Sequence, residues 1–228
     1  MSDTLEAEIV GAIDAIDAAA WNACAGAGNP FVRHGFLAAL ERSRSAAGEA
    51  GWLPRHLVMR DQSGEIVAVA PMYVKSHSYG EYVFDWGWAE AYARAGGRYY
   101  PKLQCAVPFT PDTGPRLLSR HDDDGHRLAL AEAMVALAGQ AGLSSLHVTF
   151  PTAAEADLLE GAGFLRRLGC QYHWDNDGYD SFDHFLGALA ARKRKQVRKE
   201  RQAVAAQNLS IATPVSYTHL AGDSQMTL

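Results

Sequence analysis

The sequence predicts a mixed α/β fold, a sheet flanked by helices, and three observations lead to it. Helical and strand periodicities alternate along the chain. The first strands flank a tight turn at Asp61-Gln62-Ser63-Gly64. Hydrophobic residues make up 48% of the 228, enough to bury a core. In order, an alanine-rich stretch (4–23) and the residues after Asn29-Pro30-Phe31, where Phe36, Leu37, Leu40 and Glu41 have helical spacing, give two short helices. His56 to Arg60 and Glu65 to Val74 alternate around the turn as a hairpin. Trp88 to Ala95 is a helix stopped by Gly96-Gly97, Leu103 to Phe109 a strand, and Pro108, Pro111 and Pro115 stiffen the loop that follows. His126 to Gln140 is helical, Leu146 to Phe150 a buried strand and Glu155 to Gly161 a helix. Phe164 to Arg167 and Gln171 to Trp174 read as strands, and Ser181 caps one long helix running to about Gln207.

Composition narrows the function classes. A net charge of −5 argues against nucleic-acid binding by the whole surface. Cys24, Cys105 and Cys170 are odd in number and far apart, so neither a disulfide framework nor a zinc site is expected, and a cytoplasmic location is. No apolar run approaches the roughly 20 residues of a membrane span, and the acidic start lacks the basic region of a signal peptide. His121 to His126 reads as a solvated turn with Asp124 near the start of a helix; no metal site is expected.

Candidate chemistry concentrates in residues 71–116. Lys75, His77 and Tyr79 fall on one face at period two, and Gly80 allows a bulge that turns Glu81 towards His77. A His77–Glu81 pair would take a proton from an attacking amine, and Tyr79 or Tyr82 would return one to the leaving group. A satisfied polar network pinning the sheet is the competing reading. Lys75, Tyr79, Asp85, Trp86, Tyr99, Tyr100, Lys102, Thr110 and Arg116 supply cations, phenols and a stiff loop suited to an anionic or peptide substrate. A second concentration of charge lies on the last helix, where Arg192, Arg194, Lys195, Arg198, Lys199 and Arg201 form a cationic ridge outside an apolar arc of Phe182, Phe185, Leu186, Leu189, Val197 and Val204, and Lys193 falls within the arc. That ridge suits phosphate-bearing partners: a nucleotide-linked substrate, transfer RNA or coenzyme A.

Four blocks carry a family resemblance: KSHSYGEYVFDW at 75–86, AYARAGGRYYPKL at 91–103, AVPFTPDTGPRLL at 106–118 and GYDSFDHFLGALAARKRKQVRKER at 178–201. With LLEGAGF at 158–164, they resemble the FemAB-like peptidoglycan biosynthesis/recognition family of the GNAT superfamily, over residues 21–213. The resemblance implies a GNAT-like fold over 1–180 and transfer of an acyl or aminoacyl group to an amine on a small-molecule, peptide or glycan acceptor. It implies acyl-CoA or aminoacyl-tRNA as the donor. Residues 181–214 would open a second GNAT-like domain, so the chain reads as an amino-terminal fragment with donor chemistry largely beyond it. Arg116 to His126 lacks the glycine-rich turn that cradles a pyrophosphate, so no cofactor is expected in this part. A non-catalytic peptide or glycan recognition module is the alternative. Residues 215–228 begin Val-Ser-Tyr-Thr-His-Leu, the translation of a sequencing-library adapter, and are read as an artefact. Their deletion is expected to move the melting temperature by less than about 2 °C, and a drop of about 10 °C would show a packed element there.

Overall fold

The computed structural model describes residues 5–83, 85–170 and 174–207. The chain divides into two compact units, Met1–Gly169 and Cys170–Leu228. The adapter-like tail lies outside the described residues.

The first unit opens with β1 (Glu6–Val10), a strand the alanine-rich reading did not anticipate. It pairs antiparallel with His56–Arg60 along its whole length, yet most of its residues are exposed, so no apolar alternation marks it. Two helices follow as expected, α1 (Ala18–Ala25), capped by the Asp17 side chain, and α2 (His34–Arg42). The hairpin is β2 (Trp52–Pro54) with β3 (His56–Arg60), returning as β4 (Ile66–Ala70) with β5 (Met72–Lys75). Its turn closes on Asp61 Oδ1, which accepts the N–H groups of Ser63 (2.9 Å) and Glu65 (3.0 Å). The remaining elements of this unit are α3 (Trp86–Arg94), β6 (Lys102–Cys105), β7 (Leu118–Ser119), α4 (Asp124–Gln140), β8 (Leu146–Val148) and α5 (Ala153–Gly161).

The strands form two four-stranded sheets, ordered β1-β3-β4-β7 and β2-β5-β6-β8. The hairpin runs through both, joined where Arg55 N–H donates to Met72 O at 2.8 Å. All pairings are antiparallel except β6 with β8, and α4 lies on the crossover that such a parallel pair needs.

One core layer packs Leu57, Met59, Met72, Leu103 and Cys105 with Leu130 and Met134 of α4 and Leu159 of α5. A second gathers Ile13, Trp21, Leu37, Val58 and Val69. Because side chains alternate along a strand, burying Met72, Leu103 and Cys105 on one face sends Tyr73, Lys75, Lys102 and Gln104 to the other. The site is built on that face.

Several predicted elements are shorter or absent. The strand from Leu103 ends at Cys105, and that from Leu146 at Val148, each before a residue turned to positive φ, Phe109 (59°) and Phe150 (53°). Phe164 to Arg167 forms no strand: among the described residues no strand pairs with it, and Leu165 is 97% exposed. Gln171 to His173 lie outside the described residues, and Trp174 is not in a strand.

In the second unit the single predicted helix is two, α6 (Phe182–Ala188), capped by Ser181, and α7 (Ala191–Ala205). Leu189 and Ala190 between them are extended, with ψ of 148° and 142°. The break ends the shared phase of the predicted apolar arc. Leu186 is buried, whereas Phe182 and Val204 are exposed and α7 buries no residue. Among the described residues no helix is long and apolar enough to cross a membrane.

Candidate functional site

The register of β5 and β6 sets Lys75 directly opposite Lys102 and Tyr73 opposite Gln104, while Gln104 lies beside His147 of β8. Facing lysines on a buried surface repel, and each needs compensation. It comes from the loop after β5. Lys102 Nζ donates to Glu81 Oε2 at 2.7 Å and to Asp85 Oδ2 at 2.8 Å, all three side chains fully buried. Asp85 Oδ2 also accepts from the Tyr99 hydroxyl at 2.9 Å, and Oδ1 takes the guanidinium of Arg167. His147 Nδ1 sits 3.6 Å from Asp85 Oδ2. Lys75 Nζ lies over the Trp52 ring, 3.5 Å from its centroid, and donates to Tyr79 O at 3.1 Å.

Gly80 makes this closure feasible. Its φ is +78°, and an added Cβ would come within 2.5 Å of the Phe109 ring. The turn is held by Phe109 N–H donating to Gly80 O (3.0 Å) and Trp52 Nε1 donating to Tyr79 O (3.2 Å). Glycine is the residue that takes this conformation without strain.

The titration behaviour follows from burial among mixed charges. Burial pushes Lys75 down to about 7, with Lys102 adding to the effect and Glu81 opposing it. Burial raises Glu81, opposed by Lys102. Burial would raise Asp85 too, but the hydrogen bond and charge of Lys102, helped by Arg167 and Tyr99, hold it below the usual carboxylate range. His147 is pushed down to about 4 by burial and by Lys102.

The last of these has a measurable consequence. Between pH 4 and 6.5 the unfolded chain protonates His147 and the folded chain does not, so its contribution is complete above 6.5 and is lost as pH falls towards 4. The expected loss is about 2.5 kcal/mol, read as the difference between the chain and His147→Gln in urea unfolding at pH 7 and 4.5. Parallel losses in both proteins would contradict it.

Of the residues singled out in the sequence, Lys75, Glu81, Asp85, Tyr99 and Lys102 are brought together, and Tyr100 joins through its hydroxyl, 2.5 Å from Ser78 Oγ. His77 and Glu81 are not paired. The turn at Gly80 aims Glu81 inward at Lys102, and His77 Nδ1 instead accepts the Tyr79 N–H at 3.2 Å. The side chains of Tyr79, Tyr82 and Trp86 are exposed.

Arg116 is not on a ligand-facing surface. It is 1% exposed, and its guanidinium donates to the carbonyls of Thr149, Pro115 and Asp112. Thr110 closes a local turn on Pro108 O at 3.0 Å. On α7, Arg192, Lys193, Lys195, Arg198 and Lys199 are exposed, Arg194 donates to Leu189 O, and Arg201 stacks 4.3 Å from the Phe182 ring centroid.

Sequence reading missed Trp52, Tyr73, Gln104, His147 and Arg167. For Tyr73 and Gln104 a signal existed, since polar residues at period two across two strands, Tyr73 with Lys75 and Lys102 with Gln104, mark one polar face. Tyr73 Oη, Glu81 Oε1 and Gln104 Oε1 are buried and have no hydrogen-bond partner among the described residues. Orphaned buried polar atoms are costly and uncommon.

These observations define a mixed α/β domain carrying a closed, charge-balanced polar face. The chain belongs to the FemAB-like family, described as peptidoglycan biosynthesis/recognition, whose model matches residues 12–220. Among solved structures, an acetyltransferase from Trypanosoma brucei is similar, with 14% identity over 75% of this chain and 99% of that one, at a TM-score of 0.42. An aminoglycoside antibiotic 6'-N-acetyltransferase from Acinetobacter baumannii is also similar, with 10% identity over 77% of this chain and all of that one, again at 0.42. No curated protein matches the chain.

Proposed function

We propose that the chain is part of a GNAT-superfamily, FemAB-like N-acyltransferase that moves an acyl or aminoacyl group onto an amine of a peptide, glycan or other small acceptor in the cytoplasm. The observation that carries this reading is the buried face of Lys75, Lys102, Glu81 and Asp85 in a member of this family. Acyl transfer to an amine needs groups that exchange protons away from bulk water, and this face holds several in one place. Acyl-CoA or aminoacyl-tRNA would serve as donor, with Arg192, Arg194, Lys195, Arg198, Lys199 and Arg201 as phosphate contacts. Formation of an amide product, followed by mass spectrometry with acetyl-CoA or aminoacyl-tRNA and a panel of primary amines, tests it.

The second reading, a recognition module for peptide or glycan, draws on exposed Tyr79, Tyr82, Trp88 and Tyr92. Saturable binding of a peptidoglycan fragment, without amide product from either donor, would favour it.

The donor question has its own measurement. Affinity for a labelled transfer RNA is expected to fall with log salt at about −0.7 per phosphate contact. Replacing Arg194, Lys195, Arg198 and Arg201 together with Gln should flatten that slope. No binding at low salt would make α7 a solvated surface.

A further inference from the structure

We propose that the polar face between β5 and β6 is the subsite for the acceptor's amine, with Glu81 and Gln104 accepting two of its N–H groups and Lys75 taking the proton of the third. The proposal rests on the transferase reading above and names which substrate group that face takes.

The unsatisfied atoms set the ligand's chemistry. Glu81 Oε1 and Gln104 Oε1 are buried on side chains at most 3% exposed and have no hydrogen-bond partner among the described residues. An amide oxygen and a carboxylate oxygen can only accept. These two acceptors and the neutral amine of Lys75 match the three N–H bonds of a primary ammonium. A carboxylate or phosphate would bring further acceptors to atoms that need donors. The register sets the two acceptors near each other: Gln104 is held by its own amide, donating to Thr149 Oγ1 at 3.0 Å, and Glu81 is anchored on Lys102, two residues along the same strand face.

Charge counting assigns the base. The groups facing Lys75 and its neighbours are Lys102 on β6, Glu81 and Asp85 from the loop, Arg167 following α5, His147 on β8, and the half-buried His77. Lys102 holds both carboxylates and Arg167 holds Asp85, so two cations already balance two anions. A charged Lys75 would be in excess, its ammonium offset by a backbone carbonyl and the face of Trp52. The neutral amine is the balanced state, in keeping with a pKa lowered to about 7.

In the reaction, the acceptor ammonium gives one proton to neutral Lys75, leaving an amine with a free lone pair. That pair attacks the carbonyl carbon of an acyl thioester or aminoacyl ester, forming the C–N bond. The C–S or C–O bond then breaks, and the second proton lost from nitrogen goes to the departing sulfur or oxygen. The product is an amide with one N–H retained, plus a thiol or alcohol and a protonated Lys75, which returns its proton to solvent. The loop at 76–83 lies over Lys75, so acceptor entry requires it to lift.

The test reads Lys75 without turnover. In the full chain labelled with [ε-13C]lysine, one lysine should titrate near neutral pH and be absent from Lys75→Met. Propylammonium should lower that midpoint by about one unit, because it places a second cation beside Lys75. N,N,N-trimethylpropylammonium, with no N–H to donate, should not shift it. Gln104→Leu, close in shape, should weaken the propylammonium effect about tenfold. A Lys75 midpoint above about 9.5, near the ordinary lysine value, overturns the proposal. So does an equal response to both probes, or a Gln104→Leu protein that responds like the parent chain. Failure to make amide from any donor while the lysine responds would sink the transferase reading alone. Amide formation with no lysine response would sink this subsite alone.

Discussion

Lys102→Met should destabilise the chain by about 3–5 kcal/mol, because breaking a buried ionic cluster leaves charge in low dielectric without a partner. The two carboxylates would suffer unequally. Asp85 keeps Tyr99 and Arg167, whereas the Glu81 carboxylate loses the one hydrogen bond it makes among the described residues, its other oxygen having none. Most of the loss should therefore trace to Glu81. Adding Glu81→Gln should restore about half or more, since an amide is cheaper to bury unpaired than a carboxylate. The same imbalance should raise the pKa of Lys75 in Lys102→Met, because a like charge is removed and the freed carboxylate has Lys75 as its remaining facing lysine. Urea unfolding of the single and double variants gives the first result, and the labelled-lysine titration gives the second. A cost below about 1 kcal/mol would mean that water, not Lys102, solvates these carboxylates.

The period-two pattern made the hairpin legible, since His56 to Arg60 and Glu65 to Val74 alternate and the Asp61 turn has its own side-chain bonds. It could have delivered the polar face as well, because Tyr73 with Lys75 and Lys102 with Gln104 alternate with apolar residues on β5 and β6. What the pattern lacked was register, which sets the two lysines opposite each other and depends on where the loop between Lys75 and Lys102 lets β6 return. Glu81 illustrates the limit. Its closeness in sequence to His77 suggested a pair, but the positive φ of Gly80 decides its direction, and the buried Lys102 offers a stronger electrostatic partner than a half-exposed imidazole. His147 and Arg167 come from distant segments with no local signal. β1 is unmarked because an exposed edge strand need not alternate, and the break at Leu189 contains neither glycine nor proline.

Glu155→Ala should cost about 4 kcal/mol, although Glu155 is remote from any proposed chemistry. Its Oε1 accepts the backbone N–H groups of Arg116 and Leu117, each at 2.7 Å, and Oε2 accepts the Thr152 N–H at 3.0 Å and its hydroxyl at 3.1 Å. One carboxylate thus closes the capping box of α5 and fixes the chain leaving the proline-stiffened loop. Truncation leaves two buried backbone donors unsatisfied and removes the nearby anion that favours the charged form of buried Arg116. Hydrogen bonds to a charged group contribute about 1.5–3 kcal/mol each, so losing the Arg116 and Leu117 bonds alone accounts for the figure. Glu155→Gln keeps an acceptor oxygen of the same shape and should cost about half as much. Thr152→Ala removes a cap and should cost about 1 kcal/mol. The order Ala, then Gln, then the Thr152 variant should appear as falling shifts in denaturant midpoint at constant m-value. If Gln proved as costly as Ala, the charge beside Arg116 would outweigh the bonds to the backbone. If both were mild, the chain after Pro115 would be held by the Arg116 guanidinium and its three carbonyl partners instead.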